Sequence, residues 1–192
     1  MSNFCKRNSE DGTNLTEDQI QILLKNTPFD RDEINEWHRE FLADVPNGRM
    51  GKYKLIQFYK LLYPNGKCDK FCKRVFKVYD RDGSGKIDFV ELMLSVSITA
   101  STDMNQKLSL AFKLFDKDNS GTIEREELID VIQSIYDMTI HEKDFKRRID
   151  VEELVDEIME KFDDDKDGHL VTQEFFQGCI NNPSLAELII PY

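Results

Sequence analysis

The twelve residues of stretch 80–91, DRDGSGKIDFVE, decide the fold of this 192-residue chain. Oxygen-bearing side chains stand at positions one, three, five, nine and twelve of the stretch. A glycine, Gly85, stands at position six, where the backbone has to turn with φ > 0. A loop of this length and spacing can surround a hard cation with about seven oxygens. The stretch therefore predicts a Ca²⁺ loop between two helices.

The same pattern returns twice, in 116–127 and 163–174, with loop starts 36 and then 47 residues further along the chain. Helix, acidic loop and helix thus repeat as EF-hand units. Each loop also has an apolar residue at position eight, where paired EF-hand loops join through a short strand. Three matches at helical boundaries exclude the alternative of an acidic solvated turn.

Each loop position predicts a particular oxygen. Positions one, three, five and twelve supply side-chain oxygens, position seven supplies its carbonyl, and position nine acts through water. The predicted ligands are Asp80, Asp82, Ser84, Lys86, Asp88 and Glu91; Asp116, Asp118, Ser120, Thr122, Glu124 and Glu127; and Asp163, Asp165, Asp167, His169 and Glu174. At position nine of the third loop, Val171 cannot hold the bridging water, so weaker binding is expected there. We expect three Ca²⁺ ions, with Mg²⁺ able to bind in the resting state.

A fourth unit is expected upstream, because EF-hand units pair, and the degenerate loop 44–55 occupies its place. This loop is predicted not to hold an ion. Pro46 stands where a ligand is needed, Gly48 comes one position early, and Leu55 replaces the closing glutamate. The helices of this unit are expected to serve packing and partner binding.

The rest of the chain is helical by pattern, since apolar residues recur at i, i+3, i+4 and i+7 almost throughout. Thr16 with Gln19, and Asp30 with Glu33, form capping boxes that open the first two helices. The predicted fold is all-α, with four EF-hand helix-loop-helix units in two paired lobes and two-residue β contacts between paired loops. The predicted domains are a flexible tail at 1–14, an N-terminal lobe at 15–99, a C-terminal lobe at 100–182 and a tail helix at 183–192.

Composition narrows the classes of function. The formal net charge is −11 and the pI is about 4.8, which argues against binding nucleic acid, whose phosphates need a basic surface. Cations and basic peptides are the expected partners. The apolar runs are too short to span a bilayer, and the first residues lack the apolar core of a signal peptide. The expected location is the cytoplasm, and peripheral association with a membrane through a partner is left open.

The cysteines and histidines carry no catalytic pattern. Four cysteines are too few and too scattered for a disulfide framework. Cys68 and Cys72, four residues apart on a helix, could supply half of a zinc site, but no Cys or His pair stands at a matching spacing. His38, His141 and His169 form no spacing with a nucleophile or base, so the chain is not expected to be an enzyme.

Three segments of the N-terminal half carry a resemblance to a known family. They are Trp37-His38-Arg39-Glu40-Phe41-Leu42, Asp44-Val45-Pro46-Asn47-Gly48 and Phe58-Tyr59-Lys60-Leu61-Leu62-Tyr63-Pro64. With the loop spacings, they resemble the neuronal calcium sensor family of recoverin-, frequenin- and neurocalcin-like EF-hand proteins. The resemblance implies a two-lobed protein in which Ca²⁺ exposes an N-terminal hydrophobic groove to amphipathic helices of kinases, ion channels, cyclases or receptors. The expected groove residues are Trp37, Phe41, Phe58, Tyr59, Leu62, Leu92 and Val96.

Two features depart from the family pattern. Val45 stands where the family usually has a cysteine, so a redox role of that thiol does not transfer. Met1-Ser2 with Lys6 does not match the myristoylation signal, so a calcium-triggered myristoyl switch is not expected. Cys5 is interpreted as an unmodified thiol in a flexible tail, with palmitoylation as the alternative.

A calcium sensor is the predicted function, and two alternatives share its ligands. One is a calcium buffer, and the other is a fixed calcium-binding regulatory subunit of an enzyme, resembling the calcineurin regulatory chain. The degenerate loop favours the sensor, since a pure buffer gains nothing from a loop without an ion. When Ca²⁺ binds, the helix pairs of a sensor open and expose apolar surface, whereas those of a buffer barely open. A fixed subunit keeps its partner with and without Ca²⁺.

Overall fold

The computed structural model describes residues 13–139 and 150–189. Its helices and strands follow one another as α1 (Glu17–Asn26), α2 (Arg31–Asp44), α3 (Lys52–Leu62), α4 (Asp69–Tyr79), α5 (Phe89–Ala100), α6 (Met104–Phe115), β1 (Thr122–Glu124), α7 (Arg125–Thr139), α8 (Val151–Phe162), β2 (His169–Val171), α9 (Thr172–Asn181) and α10 (Pro183–Ile189). The predicted all-α class with four helix-loop-helix units is confirmed. Residues 1–12 of the predicted tail, among them Cys5, and residues 140–149, among them His141, lie outside the described residues.

Both predicted capping boxes are present. The hydroxyl of Thr16 accepts from the Gln19 amide at 3.2 Å, and the Gln19 side chain accepts from the Thr16 amide at 2.9 Å. Asp30 and Glu33 make the same reciprocal pair at 2.9 and 2.8 Å. Each box satisfies two amides that the first turn of a helix leaves without partners. The start of α1 and of α2 is therefore fixed by local sequence.

The chain divides into two compact units, one of Met1–Gly51 with Tyr79–Ser97 and the other of Lys52–Val78 with Ile98–Tyr192. The chain passes from the first unit to the second after Ser97, close to the predicted lobe boundary between residues 99 and 100. Residues 52–78, which include α3 and most of α4, nevertheless belong to the second unit, whereas the prediction places them in the N-terminal lobe. The lobes at 15–99 and 100–182 stay a prediction about how EF-hand units pair along the chain.

The first unit is built around aromatic contacts between α2 and the start of α5. Ile34 and Phe41 are the buried side chains of α2. The ring centroid of Phe89, the first residue of α5, lies 5.6 Å from that of Phe41 and 4.8 Å from that of His38. Burial lowers the pKa of His38, so its imidazole packs here as a neutral ring.

The second unit has a continuous apolar core contributed by α6 to α10. Phe175 on α9 is its centre, with ring centroids 5.8 Å from both Phe112 and Phe115 and 6.5 Å from Phe162. The tail helix α10 closes this core, because Leu185, Ala186 and Ile189 are buried in it. The tail helix predicted at 183–192 is thus present over Pro183–Ile189, and its last three residues lie outside the described range.

The hairpin of α3 and α4 is fastened to α6 and α7 by polar contacts within the second unit. Arg74 on α4 donates to the Leu114 carbonyl at 3.3 Å and to the Asp130 carboxylate at 2.9 Å. Lys77 donates to the carbonyl of Lys117, the second residue of the 116–127 loop. At the other end, the Lys67 amide donates to the Asp137 carbonyl at 2.9 Å. The α4 helix is therefore held at both ends.

Among residues 13–139 and 150–189, no helix combines the length and the apolar character that crossing a membrane requires.

Gly66 lies where the α3–α4 loop meets the end of α7, and a β-carbon there would collide with the main-chain carbonyl of Met138. Gly66→Ala should lower the free energy of unfolding by about 1–3 kcal/mol, since backbone has to move to make room. Denaturant unfolding in Ca²⁺ measures the loss. Gly51→Ala is the matched control, because its β-carbon would lie 3.2 Å from the flexible Lys86 ammonium and nothing else. Equal losses in both variants would contradict this prediction.

Candidate metal centres

Three clusters of carboxylates are present, one in each predicted calcium loop. Each cluster joins positions one, three and twelve, and its ligand atoms all lie within 4.8 Å of one another. The clusters are Asp80, Asp82 and Glu91; Asp116, Asp118 and Glu127; and Asp163, Asp165 and Glu174. Nine predicted ligands are therefore brought together as the loop spacing requires.

Backbone amides inside each loop aim the first carboxylate. Asp80 accepts from the amides of Ser84 and Gly85, at positions five and six, at 2.8 and 2.9 Å. Asp116 accepts from the same two positions at 2.9 and 3.0 Å, and Asp163 accepts from Gly168 at 3.0 Å. The folded loop thus holds this carboxylate toward its own centre.

The glutamate at position twelve connects the two ends of each loop. Glu91 accepts from the Arg81 amide at 2.9 Å with one oxygen and from the Asp88 amide at 3.0 Å with the other. The same two positions bind Glu127 at 2.8 and 3.1 Å and Glu174 at 3.1 and 3.0 Å. The side chain at the start of the exiting helix therefore sets the position of both the second and the ninth residue.

The carbonyl of position seven lies beside the hydroxyl of position five in two of the loops. The Ser84 hydroxyl lies 3.0 Å from the Lys86 carbonyl oxygen, and the Ser120 hydroxyl lies 3.1 Å from that of Thr122. The side-chain oxygen of position five and the main-chain oxygen of position seven are thus neighbours in both loops. This arrangement offers a cation two uncharged oxygens beside the carboxylates.

The sharp turn in every loop uses two left-handed residues. Position six is glycine throughout, with φ of 77° at Gly85, 88° at Gly121 and 87° at Gly168. Position four is also left-handed, with φ of 66° at Gly83, 60° at Asn119 and 60° at Lys166. Sequence reasoning identified position six and missed position four, although Gly83 and Asn119 are residue types that favour a positive φ; only Lys166 gives no such signal.

The electrostatics of the clusters suit a divalent cation. Burial raises the pKa of Glu91, and the neighbouring Asp88 and Asp82 charges add to the rise. Hydrogen bonds from Ser120 lower the pKa of Asp118. An all-oxygen donor set of this charge fits Ca²⁺, and the bound ion would supply the positive charge that offsets carboxylate repulsion.

The loops pair two by two through short strands. Strands β1 and β2 run antiparallel with Ile123 opposite Leu170, both at position eight and both buried. In the first unit, Ile87 forms a single bridge with Met50, with N–O distances of 2.8 and 2.9 Å. The predicted β contacts are therefore present, one of them shorter and one longer than two residues.

The bridge corrects the register of the degenerate loop. Ile87 is a position-eight residue, so its partner Met50 holds position eight, and the loop spans 43–54 instead of the predicted 44–55. Gly48, with φ of 66°, then falls on position six, and α3 starts at position ten, as α5 does. Gly48 is not early, and Lys54, not Leu55, replaces the closing glutamate. Leu55 is buried in the second unit.

In this register, the degenerate loop has alanine, valine and lysine at positions one, three and twelve. These are the positions at which the other loops assemble their carboxylates. Among the residues that the structure describes, no acidic cluster forms at this loop. Aligning the sequence on Gly48 at position six would have found the register.

The buried cysteines form no metal site within the described ranges. The groups there that could hold an ion are the three acidic clusters, and neither Cys68 nor Cys72 belongs to one. Burial raises the pKa of Cys72 and of Cys179 to about 12. These thiols therefore stay protonated and act as small apolar core residues.

Comparison with known proteins matches this geometry. A family model of the EF-hand domain pair matches residues 105–180, and a model of the EF hand domain matches residues 71–97. Neuronal calcium sensor 1 of Lymnaea stagnalis is 34% identical over 176 residues, covering 91% of this chain and 92% of that protein. Recoverin of Homo sapiens is 31% identical over 186 residues, covering 95% and 92%.

This chain belongs to the neuronal calcium sensor family. Members of the family are calcium-binding regulators and not enzymes, and this neuronal calcium sensor is accordingly a calcium-binding regulatory protein. A more distant relative is guanylyl cyclase-activating protein 2 of Gallus gallus, 28% identical over 157 residues, covering 80% of this chain and 79% of that protein.

The predicted groove residues differ in exposure. Trp37 is 46% and Leu62 is 72% exposed, whereas Phe41 is buried. Phe58, Tyr59, Leu92 and Val96 are partly buried. Trp37, Phe41, Leu92 and Val96 belong to the first compact unit, and the other three belong to the second. Their joint role as a groove stays a prediction.

Replacing the closing carboxylate should remove one ion from one loop. Glu91→Gln, Glu127→Gln and Glu174→Gln each lose the bidentate anionic ligand. Calorimetry is expected to count about three ions in the parent and about two in each variant. A count of four in the parent, or an unchanged count in any variant, would refute the loop assignment.

The left-handed turn at position four should tolerate asparagine better than alanine. A β-carbon at Gly83 would meet no atom within 4 Å. Gly83→Ala should therefore lower the free energy of unfolding by about 1 kcal/mol, solely because alanine disfavours a left-handed backbone. Gly83→Asn should cost less, because Asn119 already has this conformation in the second loop. Denaturant unfolding in Ca²⁺ would contradict this if the two variants were equally stable.

Proposed function

We propose that this chain is a calcium sensor: Ca²⁺ in three loops exposes an N-terminal hydrophobic groove, through which the protein binds and regulates target proteins. The observation that carries the proposal is the position of Phe89. It lies two residues before the closing Glu91, and its ring packs on His38 and Phe41 of α2. A movement of Glu91 therefore reaches the helix that bears Trp37.

A single residue, Phe89, connects the start of α5 to the helix of the proposed groove. Bidentate closure by Glu91 requires the start of α5 to approach the ion, and in sensor EF-hands this opens the helix pair. Phe89 moves with α5, because the two residues share its first turn. The contacts that keep Phe41 buried are then altered, which would convert a core residue into part of a groove.

The proposed occupant of the groove is an amphipathic helix with basic residues. Trp37, exposed on α2 and 6.0 Å from the Phe29 ring between centroids, offers an aromatic anchor of the kind that dominates such interfaces. The net charge of −11 favours a basic partner. Kinases, channels, cyclases and receptors are the proposed target classes, and the name of the Gallus gallus relative states that it activates guanylyl cyclase.

Three further features belong to the proposal. The three acidic clusters support three Ca²⁺ ions, and their all-oxygen ligands also admit Mg²⁺ in the resting state. The 163–174 loop should bind more weakly, since Val171 offers no side-chain oxygen at position nine. The proposed location is the cytoplasm, where resting Ca²⁺ is low enough for a sensor to respond.

Trp37, the only tryptophan of the chain, should report both steps. Ca²⁺ should shift its fluorescence, and an amphipathic helical peptide should shift it again as the indole is buried. Glu91→Gln should suppress the first shift far more than the matched control Glu174→Gln, because only Glu91 lies in the same compact unit as Trp37. Trp37→Ala should weaken peptide binding by about 2 kcal/mol.

Two outcomes would reject the sensor in favour of its alternatives. Flat Trp37 fluorescence across a titration in which calorimetry detects ion binding would favour a buffer. A partner retained equally with Ca²⁺ and with chelator would favour a fixed regulatory subunit.

A further inference from the structure

The α4 helix has one side that is made of basic side chains. Its eleven residues include three lysines, one arginine and one acidic residue. At about 100° per residue, the four basic residues fall within an arc of about 100°. They are Lys70, Lys73, Arg74 and Lys77, and we call this side the basic face of α4. The opposite side is buried and consists of Phe71, Cys72, Val75, Phe76 and Tyr79.

The basic face does not serve the stability of its own helix. Like charges four residues apart destabilise a helix, because their side chains are neighbours on its surface. The basic face contains two such pairs, Lys70 with Arg74 and Lys73 with Lys77. Arg74 is offset by the Asp130 carboxylate at 2.9 Å. Lys70 and Lys73 are exposed, and within the described ranges no carboxylate lies at ion-pair distance from either of them.

The positive surface continues from α4 to the first residues of the 116–127 loop. Lys77 donates to the carbonyl of Lys117. The Lys117 ammonium lies 3.6 Å from the Asp130 carboxylate, which Arg74 also binds. This one carboxylate is therefore shared by two cations, and it offsets only part of the positive charge of the basic face and Lys117. The excess is accessible to solvent at Lys70 and Lys73.

We propose that the basic face of α4 binds an acidic segment of a partner protein. Lys70, Lys73 and Lys77 stand at i, i+3 and i+7 and span about 10 Å along the helix axis. About three residues of an extended chain cover the same length. Carboxylates of the acidic segment would pair with these lysines and would also offset the repulsion between them. The free helix bears this repulsion, and the bound helix is relieved of it.

An acidic polypeptide fits this face better than a lipid bilayer does. An element that lies in a membrane interface combines basic side chains with exposed apolar ones. The large apolar side chains that are exposed in the described part of the chain lie on other elements, and none belongs to α4. The proposal goes beyond the calcium-sensor function and does not rest on it, since the groove residues of that function lie on α2, α3 and α5.

Fluorescence anisotropy of a labelled octaglutamate peptide with the full-length protein in Ca²⁺ tests the proposal. The peptide should bind the parent, and an octaglutamine peptide should not. Lys70→Gln with Lys73→Gln should weaken binding about fivefold, because two exposed ion pairs are lost. Lys70→Arg with Lys73→Arg should keep binding. The control is Lys25→Gln with Arg39→Gln, which changes net charge equally at exposed residues of α1 and α2 and should leave binding unchanged.

A purely structural role of the two lysines predicts a different result. Since like-charge neighbours are removed, Lys70→Gln with Lys73→Gln should melt no lower than the parent by circular dichroism. Lower melting together with weaker binding would assign the lysines to helix stability and overturn the proposal. Equal losses of binding in this variant and in the control on α1 and α2 would also overturn it.

Two further outcomes would replace the acidic segment by another occupant. Phosphatidylserine vesicles that bind the parent while octaglutamate does not would identify a lipid surface. A dimer in analytical ultracentrifugation that Lys70→Gln with Lys73→Gln dissociates, again without binding of octaglutamate, would identify a second copy of this chain. Either result would overturn the proposal.

Discussion

The ion loops depend on one interaction, the hydrogen bonds that the closing glutamate accepts from the backbone at positions two and nine of its own loop. Each glutamate belongs to the first turn of the exiting helix, and position two comes two residues after the end of the entering helix. One side chain therefore connects the two ends of its loop. Because this carboxylate accepts from both ends of the loop, moving it toward an ion would change the hydrogen bonding of both ends at once.

The degenerate loop shows what remains when that interaction is missing. Lys54 cannot accept hydrogen bonds, so this loop has no closing carboxylate. It keeps the left-handed glycine at Gly48 and the main-chain bridge from Met50 to Ile87. These suffice to pair it with the 80–91 loop, since backbone pairing is independent of side-chain ligands. The unit thus keeps the backbone pairing of an EF-hand loop and lacks the carboxylates that would bind an ion.

The sequence predicted the three ion loops well because coordination chemistry demands specific residue types at fixed spacing. Where no ion is bound, that demand disappears, and the register of the degenerate loop was placed one residue late. Gly48 at position six gives a local signal of the true register, and the long-range pairing of Met50 with Ile87 establishes it. Likewise, helical periodicity marks which residues of α3 are apolar, but only the packed structure shows that Tyr53 and Leu61 lie outside.

The polar contacts of α4 give its two ends different neighbours. Arg74, whose side chain is 13% exposed, and Lys77 bind α4 to the end of α6 and to the 116–127 loop. The same helix continues to Tyr79, one residue before Asp80. The helix that enters the 80–91 loop is therefore held by side-chain contacts within the second unit. The α4 helix thus contacts the 116–127 loop through Lys77 and leads directly into the 80–91 loop.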